Sequence, residues 1–163
     1  MNKGIAANPQ APDLYLSLGF VYYWQLKDYK KAAEIFLEGA QYQKGKNWLK
    51  NLAAYTAARG GDRTTSKYLW EQIYETAENK RAKENAMAHL LELQAEDQID
   101  ALEKVVARFR QQTGHWPRSF VELATHGYLR GIPVDPTGVP YELDPQSGKV
   151  KASADTRLPI PPP

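Results

Sequence analysis

The sequence predicts a mainly α-helical fold: a stack of about three antiparallel helical hairpins, capped by a short helix and a small β-hairpin. Three observations predict it. Apolar residues recur three and four positions apart through residues 13–113, as in helices with one buried face. The first part of the chain repeats with a period of 34 residues. Residues 127–150 contain four Gly and four Pro, which favour turns over helix.

The first hairpin is predicted from the stretch DLYLSLGFVYYWQL and the residues after it. The apolar residues of this stretch recur at helical spacing: Leu14, Leu18, Val21 and Tyr22. Gly19 is expected where a neighbouring helix approaches closely, because glycine otherwise costs about 1 kcal/mol in a helix interior. Asp28 is expected to cap a second helix. Three residues of that helix would pack back onto the first: Ala32, Ile35 and Phe36.

The second hairpin is predicted by the repeat. Seven residues of the first hairpin, Tyr15, Leu18, Gly19, Tyr22, Asp28, Ala32 and Phe36, correspond 34 positions later to Leu49, Leu52, Ala53, Thr56, Asp62, Ser66 and Trp70. The stretch RGGD breaks the chain before a helix cap at Asp62 or Thr64. Small residues that let helix backbones approach closely are Ala53, Ala54, Ala57 and Ala58. The aromatic residues and alanines of both copies are expected to form the core between helices.

The spacing Tyr15-x-x-Leu18-Gly19-x-x-Tyr22, followed by Ala32-x-x-x-Phe36, resembles the tetratricopeptide repeat. That resemblance implies a right-handed stack of helix pairs, in which the first helix of each pair lines a concave groove. By the same resemblance, the groove positions are Asp13, Leu16, Ser17, Phe20 and Tyr23 in the first copy, and Asn47, Lys50, Asn51 and Ala54 in the second.

Two further helices are predicted between residues 80 and 113, as a degenerate third hairpin without the repeat motif. The stretches KRAKENAMAHLLELQAE and DQIDALEKVVARFRQQTG both show helical spacing of apolar residues. The acidic residues Glu96, Asp97 and Asp100 are expected to cap helices at the turn between the two, rather than to form a catalytic pair. Gly114 is expected to end the second helix.

The segment after Gly114 is predicted to form a short helix and a hairpin. Pro117 is expected as an early residue of the helix and Gly127 as its end. A turn is expected at Pro136-Thr137-Gly138, and the stretch YELDPQSGKVKA alternates around a turn from Pro145 to Gly148.

This segment also resembles the region after the long helix of type II secretion major pseudopilins. The residues that carry the resemblance lie between 114 and 145: Gly114, Trp116, Pro117, Leu123, Gly127, Tyr128, Leu129, Ile132, Pro133, Asp135, Pro136, Gly138 and Tyr141. The chain has neither an apolar N-terminal pilin helix nor a prepilin cleavage signature. The resemblance therefore implies a local fold, a short helix and strand pair leaning on the preceding helix, and does not imply filament assembly by the pseudopilin route.

Four segments follow from these assignments. Residues 1–12 are predicted to be a linker or the remnant of a preceding repeat. Residues 13–113 form the helical array and residues 114–155 the C-terminal cap. Residues 156–163 are expected to be a flexible or polyproline tail.

No pattern typical of an enzyme occurs in the sequence. It contains no Cys, no G-x-S-x-G, no phosphate-binding loop and no H-E-x-x-H. The three histidines, which lack the spacing of zinc ligands, are His89, His115 and His126. Asp135, Asp144 and Asp155 are expected to satisfy backbone N–H groups in turns; calcium binding, which the pseudopilin resemblance implies for these loops, is the alternative. We therefore predict no enzyme, no cofactor and no metal site.

The predicted function is protein–protein interaction, as a scaffold or as a subunit of a larger assembly. Eight residues are predicted to contact a partner: Leu16, Phe20, Tyr23, Trp24, Asn47, Lys50, Asn51 and Ala54. Tetratricopeptide repeats that bind a terminal carboxylate line the groove with several basic and amide side chains, and only Asn47, Lys50 and Asn51 qualify here. An apolar or helical partner segment is therefore expected. The alternatives are a structural component of an extracellular or cell-envelope filament or secretion-related assembly, and, more remotely, a calcium-binding module.

The charge and hydropathy of the sequence exclude several classes of partner. The 21 basic and 19 acidic residues are spread along the chain, so neither nucleic acid nor a membrane surface is expected. No stretch approaches the roughly 20 apolar residues of a membrane span, and the start MNKGIAANPQAPD lacks the apolar core of a signal peptide. No small-molecule substrate is expected. The compartment stays open between the cytoplasm and, if the chain is processed, the cell envelope or the exterior.

The first helix is apolar or aromatic nearly all round, and one pair of neighbouring helices in the same chain cannot cover it. The residues concerned are Leu14, Tyr15, Leu16, Leu18, Phe20, Val21, Tyr22, Tyr23 and Trp24. A helix of this kind is normally buried on more than one face. We expect it to pack against another chain, either a second copy or a partner protein, with residues 1–12 folding back over it as the alternative.

Overall fold

The computed structural model describes residues 5, 7–8, 10–42 and 48–158, and this part of the chain is mainly helical with a small two-stranded sheet. The elements are α1 (Pro12–Phe20), a π-helical segment (Val21–Leu26), α2 (Tyr29–Ala40), α3 (Trp48–Arg59), α4 (Arg63–Thr76), α5 (Lys80–Thr113), α6 (Phe120–Thr125), β1 (Glu142–Leu143) and β2 (Val150–Lys151). None of the helices described here is both long and apolar enough to cross a membrane. The chain divides into two compact units, residues 1–90 and 91–163.

In the first unit, consecutive helices pack on one another: α1 on α2, α2 on α3, and α3 on α4. The predicted caps are confirmed, since Asp28 Oδ1 accepts the Lys31 N–H at 2.9 Å and Asp62 Oδ1 accepts the Thr65 N–H at 3.0 Å. Asp62, and not Thr64, is therefore the residue that caps α4. Each carboxylate satisfies an N–H that the first turn of a helix leaves without a partner.

The predicted core positions repeat with the predicted period. Four pairs of residues 34 apart are buried in both copies: Tyr15 and Leu49, Gly19 and Ala53, Ala32 and Ser66, Phe36 and Trp70. The close approach expected at Gly19 is confirmed, because a Cβ built there would lie 2.2 Å from Cε1 of Phe36. The ring of Phe36 therefore occupies the space that any larger residue at 19 would need.

The end of the first helix departs from the regular α-helix that its spacing predicts. Residues Val21–Leu26 are π-helical, and Lys27 ends the segment in the left-handed region with φ 55°. The N–H groups of Lys27 and Asp28 both reach back to the carbonyl of Tyr22. Trp24 and Leu26 lie in this wider helix and are largely exposed. Such π-helical insertions frequently occur at functional sites.

The predicted third hairpin is wrong. Residues Lys80–Thr113 form one continuous helix of 34 residues, α5. No Gly or Pro interrupts this stretch, and most of its residues favour helix. Glu96 and Asp97 lie in the interior of α5 with exposed side chains and therefore cap no helix end. The end predicted at Gly114 is confirmed, with φ 82° and an N–H that donates to the Arg110 carbonyl at 2.8 Å.

The division between the two units falls inside α5, after Leu90, and not at residue 113 where the array was predicted to end. In the second unit, the later part of α5 supplies three of the seven members of a core, which consists of Leu102, Val106, Phe109, Phe120, Leu123, Tyr141 and Val150. The short helix and the strand pair therefore pack on the preceding helix, as predicted.

The short helix α6 begins later than predicted. Ser119 caps it by accepting the Glu122 N–H at 3.2 Å, so Pro117 precedes the helix and is fully buried. The predicted end at Gly127 is confirmed by its φ of 76°. Tyr128 N–H donates to the Leu123 carbonyl at 2.9 Å, which closes the last turn.

The turns of the second unit form as predicted. The hairpin pairs Glu142 with Lys151 and Leu143 with Val150 in an antiparallel register. Gly148 N–H closes the intervening turn by donating to the Asp144 carbonyl at 2.8 Å. Loop residues 130–141 precede the hairpin and are organised by a buried carboxylate that is described below.

Candidate partner-binding groove

The eight residues predicted to contact a partner fall into three groups. Tyr23 (8% exposed) and Ala54 (0% exposed) are buried, so their role is packing and not contact with a partner. Leu16, Phe20, Trp24, Lys50 and Asn51 retain surface, and burial lowers the pKa of Lys50. Asn47 lies outside the described residues. Phe20 and Trp24 belong to the first helix and its π-helical segment, whereas Asn51 lines a groove farther along the first unit.

The groove lies along one face of α3 and has a volume of about 440 Å³. Its α3 wall consists of residues spaced by three, four and seven positions: Trp48, Asn51, Leu52 and Tyr55. The other wall comes from Trp70 of α4 and from Asn85 and His89, one helical turn apart on α5. Residues at these spacings lie on the same side of a helix, so the two walls face one another.

The groove lining is aromatic and amide-rich, and it contains no Asp, Glu, Lys or Arg. The ring of His89 stacks on Trp70 with centroids 4.2 Å apart and planes inclined by 22°. Tyr55 is 46% exposed, so a ligand can reach its ring. Groups of this kind offer flat apolar surfaces and a few hydrogen-bond donors, which suits an uncharged ligand.

Asn51 lies where this groove meets a second cavity of about 330 Å³. The side-chain oxygen of Asn51 is buried without a hydrogen-bond partner. Further along, Asn79 caps α5 by accepting the Ala82 N–H at 2.9 Å, and both residues line the second cavity. Trp48 and Asn51 therefore border both cavities, and the second cavity, unlike the groove, includes a carboxylate in its lining, that of Glu78.

A cluster of rings and one guanidinium ties α3 to the first hairpin. The Arg59 guanidinium lies 5.6 Å from the ring centres of both Tyr23 and Tyr29. The two tyrosine rings meet edge to face with centroids 5.2 Å apart. Burial raises the pKa of Tyr23, so the ring remains neutral beside the cation. These contacts fix the orientation of α3, which carries one wall of the groove.

The predicted uncovered side of the first helix is confirmed at its C-terminal end. Trp24 is 59% exposed, and Phe20 and Leu26 are exposed as well. The Lys27 ammonium lies 5.3 Å from the centre of the Trp24 ring, which covers only part of it. Much of residues 1–12 lies outside the described residues, so whether they fold back here stays a prediction, as does contact with another chain.

One carboxylate of the second unit, that of Asp135, has a structural role. Asp135 is 3% exposed; its Oδ1 accepts the N–H groups of Thr137 (2.7 Å) and Val139 (3.0 Å), and Thr156 Oγ1 donates to its Oδ2. Burial alone would raise the pKa of Asp135, but these hydrogen bonds outweigh burial and lower the pKa to about 2. The role predicted for Asp135, satisfying backbone N–H groups in a turn, is confirmed.

The remaining titratable candidates also have structural contacts. His115 and His126 each place a ring edge to face against Phe109, with centroids 5.5 and 5.9 Å apart. Asp144 accepts the Gln146 N–H at 2.9 Å in the hairpin turn. Within the residues that the structure describes, no three His, Cys, Asp or Glu side chains come together as a metal site.

Six of the seven groove residues were not predicted as partner contacts: Trp48, Leu52, Tyr55, Trp70, Asn85 and His89. The signal that could have found four of them is the placement of Trp48 and Tyr55 seven residues apart on α3, matched by Asn85 and His89 four residues apart on α5. The predicted break at residue 96 divided α5 into a hairpin and so obscured its role as the second wall.

No known protein family, curated protein or solved structure matches the chain.

Proposed function

We propose that this protein is a protein-interaction module of the tetratricopeptide-repeat type, whose groove binds an uncharged segment of a partner protein. The 34-residue recurrence of caps and buried positions supports a stack of repeated helix pairs, with α3 and the beginning of α5 in the places of successive first helices. In such a stack, the first helices line the binding surface.

The observation that carries this proposal is the composition of the groove walls. Rings and amides face each other with no carboxylate, ammonium or guanidinium among the lining residues. Interfaces concentrate binding energy in aromatic side chains at a desolvated centre, and amides beside them orient the ligand. A charged ligand group would find no counter-ion here, whereas an apolar segment would find Trp48, Tyr55 and the amide of Asn85.

A displayed library of random peptides, selected on the full chain, tests the proposal. We expect enriched peptides with few charges whose affinity falls by about tenfold or more in Tyr55→Ala, the loss typical of a central aromatic contact. The matched control is Tyr68→Ala, because Tyr68 is another exposed tyrosine (60%) and does not line the groove. Selection of no peptide, or of peptides that bind Tyr55→Ala as well as the parent, would contradict the proposal.

The first helix offers a second surface for the same function. The exposed rings of Phe20 and Trp24 support packing of this helix against another chain. Because the surface is apolar, Phe20→Ala should weaken that contact, while Lys50→Glu should leave it unchanged. The opposite ranking in a binding assay would argue for a charged contact instead.

The second candidate function is a structural subunit of a filament or secretion-related assembly that docks through its C-terminal end. The observation in its favour is that residues 114–158 form the predicted short helix and hairpin on a core of their own with α5. Recovery of the chain as an ordered subunit of a purified filament would support this candidate, and exclusively cytosolic fractionation would count against it.

A further inference from the structure

We propose that the occupant of the groove is a proline-rich segment in extended conformation, and specifically residues 159–163 of a second copy of this chain. This inference rests on the function proposed above and names the ligand of the same groove. It is carried by the agreement between two independent features: the chemistry of the groove walls and the sequence Pro-Ile-Pro-Pro-Pro.

The walls supply what a proline-rich segment needs. Such a segment favours the polyproline II helix, whose carbonyl groups make no internal hydrogen bonds and must be satisfied by solvent or by a binding surface. The groove offers donors for these carbonyls in the amides of Asn51 and Asn85, the indole of Trp48 and the hydroxyl of Tyr55. Aromatic-lined grooves bind polyproline II segments by packing rings against the prolines.

The proline-rich segment needs few of the hydrogen-bond acceptors and counter-ions that the groove does not provide. Four of its five residues are Pro, which have no backbone N–H, and none of the five carries a charged side chain. It therefore needs almost no acceptors, its side chains need no counter-ion, and the groove lining holds no Asp, Glu, Lys or Arg. An extended polar peptide, with one N–H per residue to satisfy, would fit these walls less well.

The length of the proline-rich segment also matches the length of the α3 wall. Five residues of polyproline II extend about 15 Å, at 3.1 Å per residue. The α3 wall runs from Trp48 to Tyr55, about 10 Å along the helix at 1.5 Å per residue. Pro159–Pro163 is therefore long enough to follow the wall from one ring to the other. Since each copy offers one groove and one such segment, the resulting contact is head to tail.

The first experiment measures binding of a labelled peptide, Arg-Leu-Pro-Ile-Pro-Pro-Pro, to the full chain by fluorescence anisotropy. We expect saturable binding that weakens by about tenfold or more in Tyr55→Ala and stays unchanged in Tyr68→Ala. The control peptide replaces all four Pro by Ala and should bind at least about tenfold more weakly. It loses the pyrrolidine rings that would pack on the groove and the preference for the extended polyproline II conformation. Equal binding of the two peptides would overturn the proposal.

The second experiment tests the second copy by sedimentation equilibrium of the full chain over the micromolar range. We expect the average mass to rise with concentration, and to stay at the monomer value both in Tyr55→Ala and in a variant with Pro159, Pro161, Pro162 and Pro163 changed to Ala. A monomeric parent, or an association that survives the four proline changes, would overturn the assignment to a second copy.

The outcomes separate this inference from the proposed function. If library peptides without proline bind through Tyr55 while the proline-rich peptide does not, the groove is a binding site and the inference is wrong. If no peptide of either kind binds through Tyr55, the proposed function itself is wrong.

Discussion

The helix pairs of residues 12–76 and the turn-rich segment of residues 114–158 are held together by different means. In the first, the Asp caps and four buried positions recur after 34 residues, so each of these has an equivalent in the other copy. In the second, the loop depends on Asp135, a single buried carboxylate whose two oxygens accept hydrogen bonds from three other residues. The repeated region therefore uses the same interactions twice, whereas the loop before the hairpin depends on one ionised group.

The largest effect is expected in α5, which lies between these regions in the sequence. Asp97 would be near the start of a second helix in a hairpin, where proline is well tolerated. In the continuous helix, Asp97→Pro removes a backbone hydrogen bond and clashes with the preceding turn, at a cost of about 3 kcal/mol or more. Urea unfolding followed by circular dichroism should show this loss, with Asp97→Ala close to the parent. If the two variants were equally stable, the result would contradict the continuous helix and favour the predicted hairpin.

The next effect probes the close contact in the first helix pair. Gly19→Ala should lower the free energy of unfolding by about 2 kcal/mol, because the new Cβ would lie 2.2 Å from a ring atom of Phe36. Adding Phe36→Leu should recover part of the loss, since the smaller side chain makes room. The reverse change at the equivalent position of the second copy, Ala53→Gly, introduces no clash and should cost about 1 kcal/mol or more, from helix propensity and the loss of a buried methyl group. A double variant no better than the sum of its parts would contradict the packing described here.

The buried carboxylate of Asp135 predicts a pH dependence of stability in the turn-rich segment. The pKa of Asp135 is lowered to about 2 in the folded chain, below its ordinary value of about 3.9 in an unfolded chain. Its stabilisation, about 2 kcal/mol, is therefore fully present above pH ~4 and is lost as the pH falls through about 2.

Urea midpoints measured at decreasing pH for the parent and for Asp135→Asn provide the check. The variant cannot ionise at this position, so its midpoint should depend less steeply on pH below ~4. If the two proteins lose stability in parallel, another group carries the pH dependence.

The smallest stability effects are expected at the caps. Asp28→Ala and Asp62→Ala should each cost about 1 kcal/mol, and the double variant should cost about the sum, because the two caps serve different helices. Thr64→Ala should stay within about 0.5 kcal/mol, since Thr64 is exposed and does not cap α4. Thermal denaturation of the four variants measures this series, and a larger loss for Thr64 than for Asp62 would reverse the assignment of the cap.

The features that could be predicted from the sequence are those that depend on a few neighbouring residues. The caps at Asp28 and Asp62, the close approach at Gly19 and the end of α6 at Gly127 depend on a few neighbouring residues, and all four are confirmed. The break at residue 96 was inferred from the expectation of a third helix pair, and the acidic residues there fit an exposed helix face as well as a helix end. No local signal separates those two cases without Gly or Pro.

The candidate groove was only partly predictable for a different reason. Asn51 was found through the repeat, but its opposite wall lies on another helix, and the sequence does not give the distance between α3 and α5. Tyr23 and Ala54 were misassigned because a groove position and a core position can be adjacent on the same helix, separated by about 100° of rotation. Their burial depends on which side of α1 and α3 the neighbouring helices occupy.

The central claim, that the groove between α3 and α5 receives a segment of a partner, is tested most directly by the nitrogen-bound protons of its own side chains. In ¹H–¹⁵N spectra of the full chain, saturating addition of a library-selected peptide should shift the side-chain amides of Asn51 and Asn85 and the indole N–H of Trp48. The indole of Trp116, which lies in the second unit and outside the groove, should not move. Shifts confined to Trp116 and its surroundings, with the groove signals unchanged under saturation, would contradict the account.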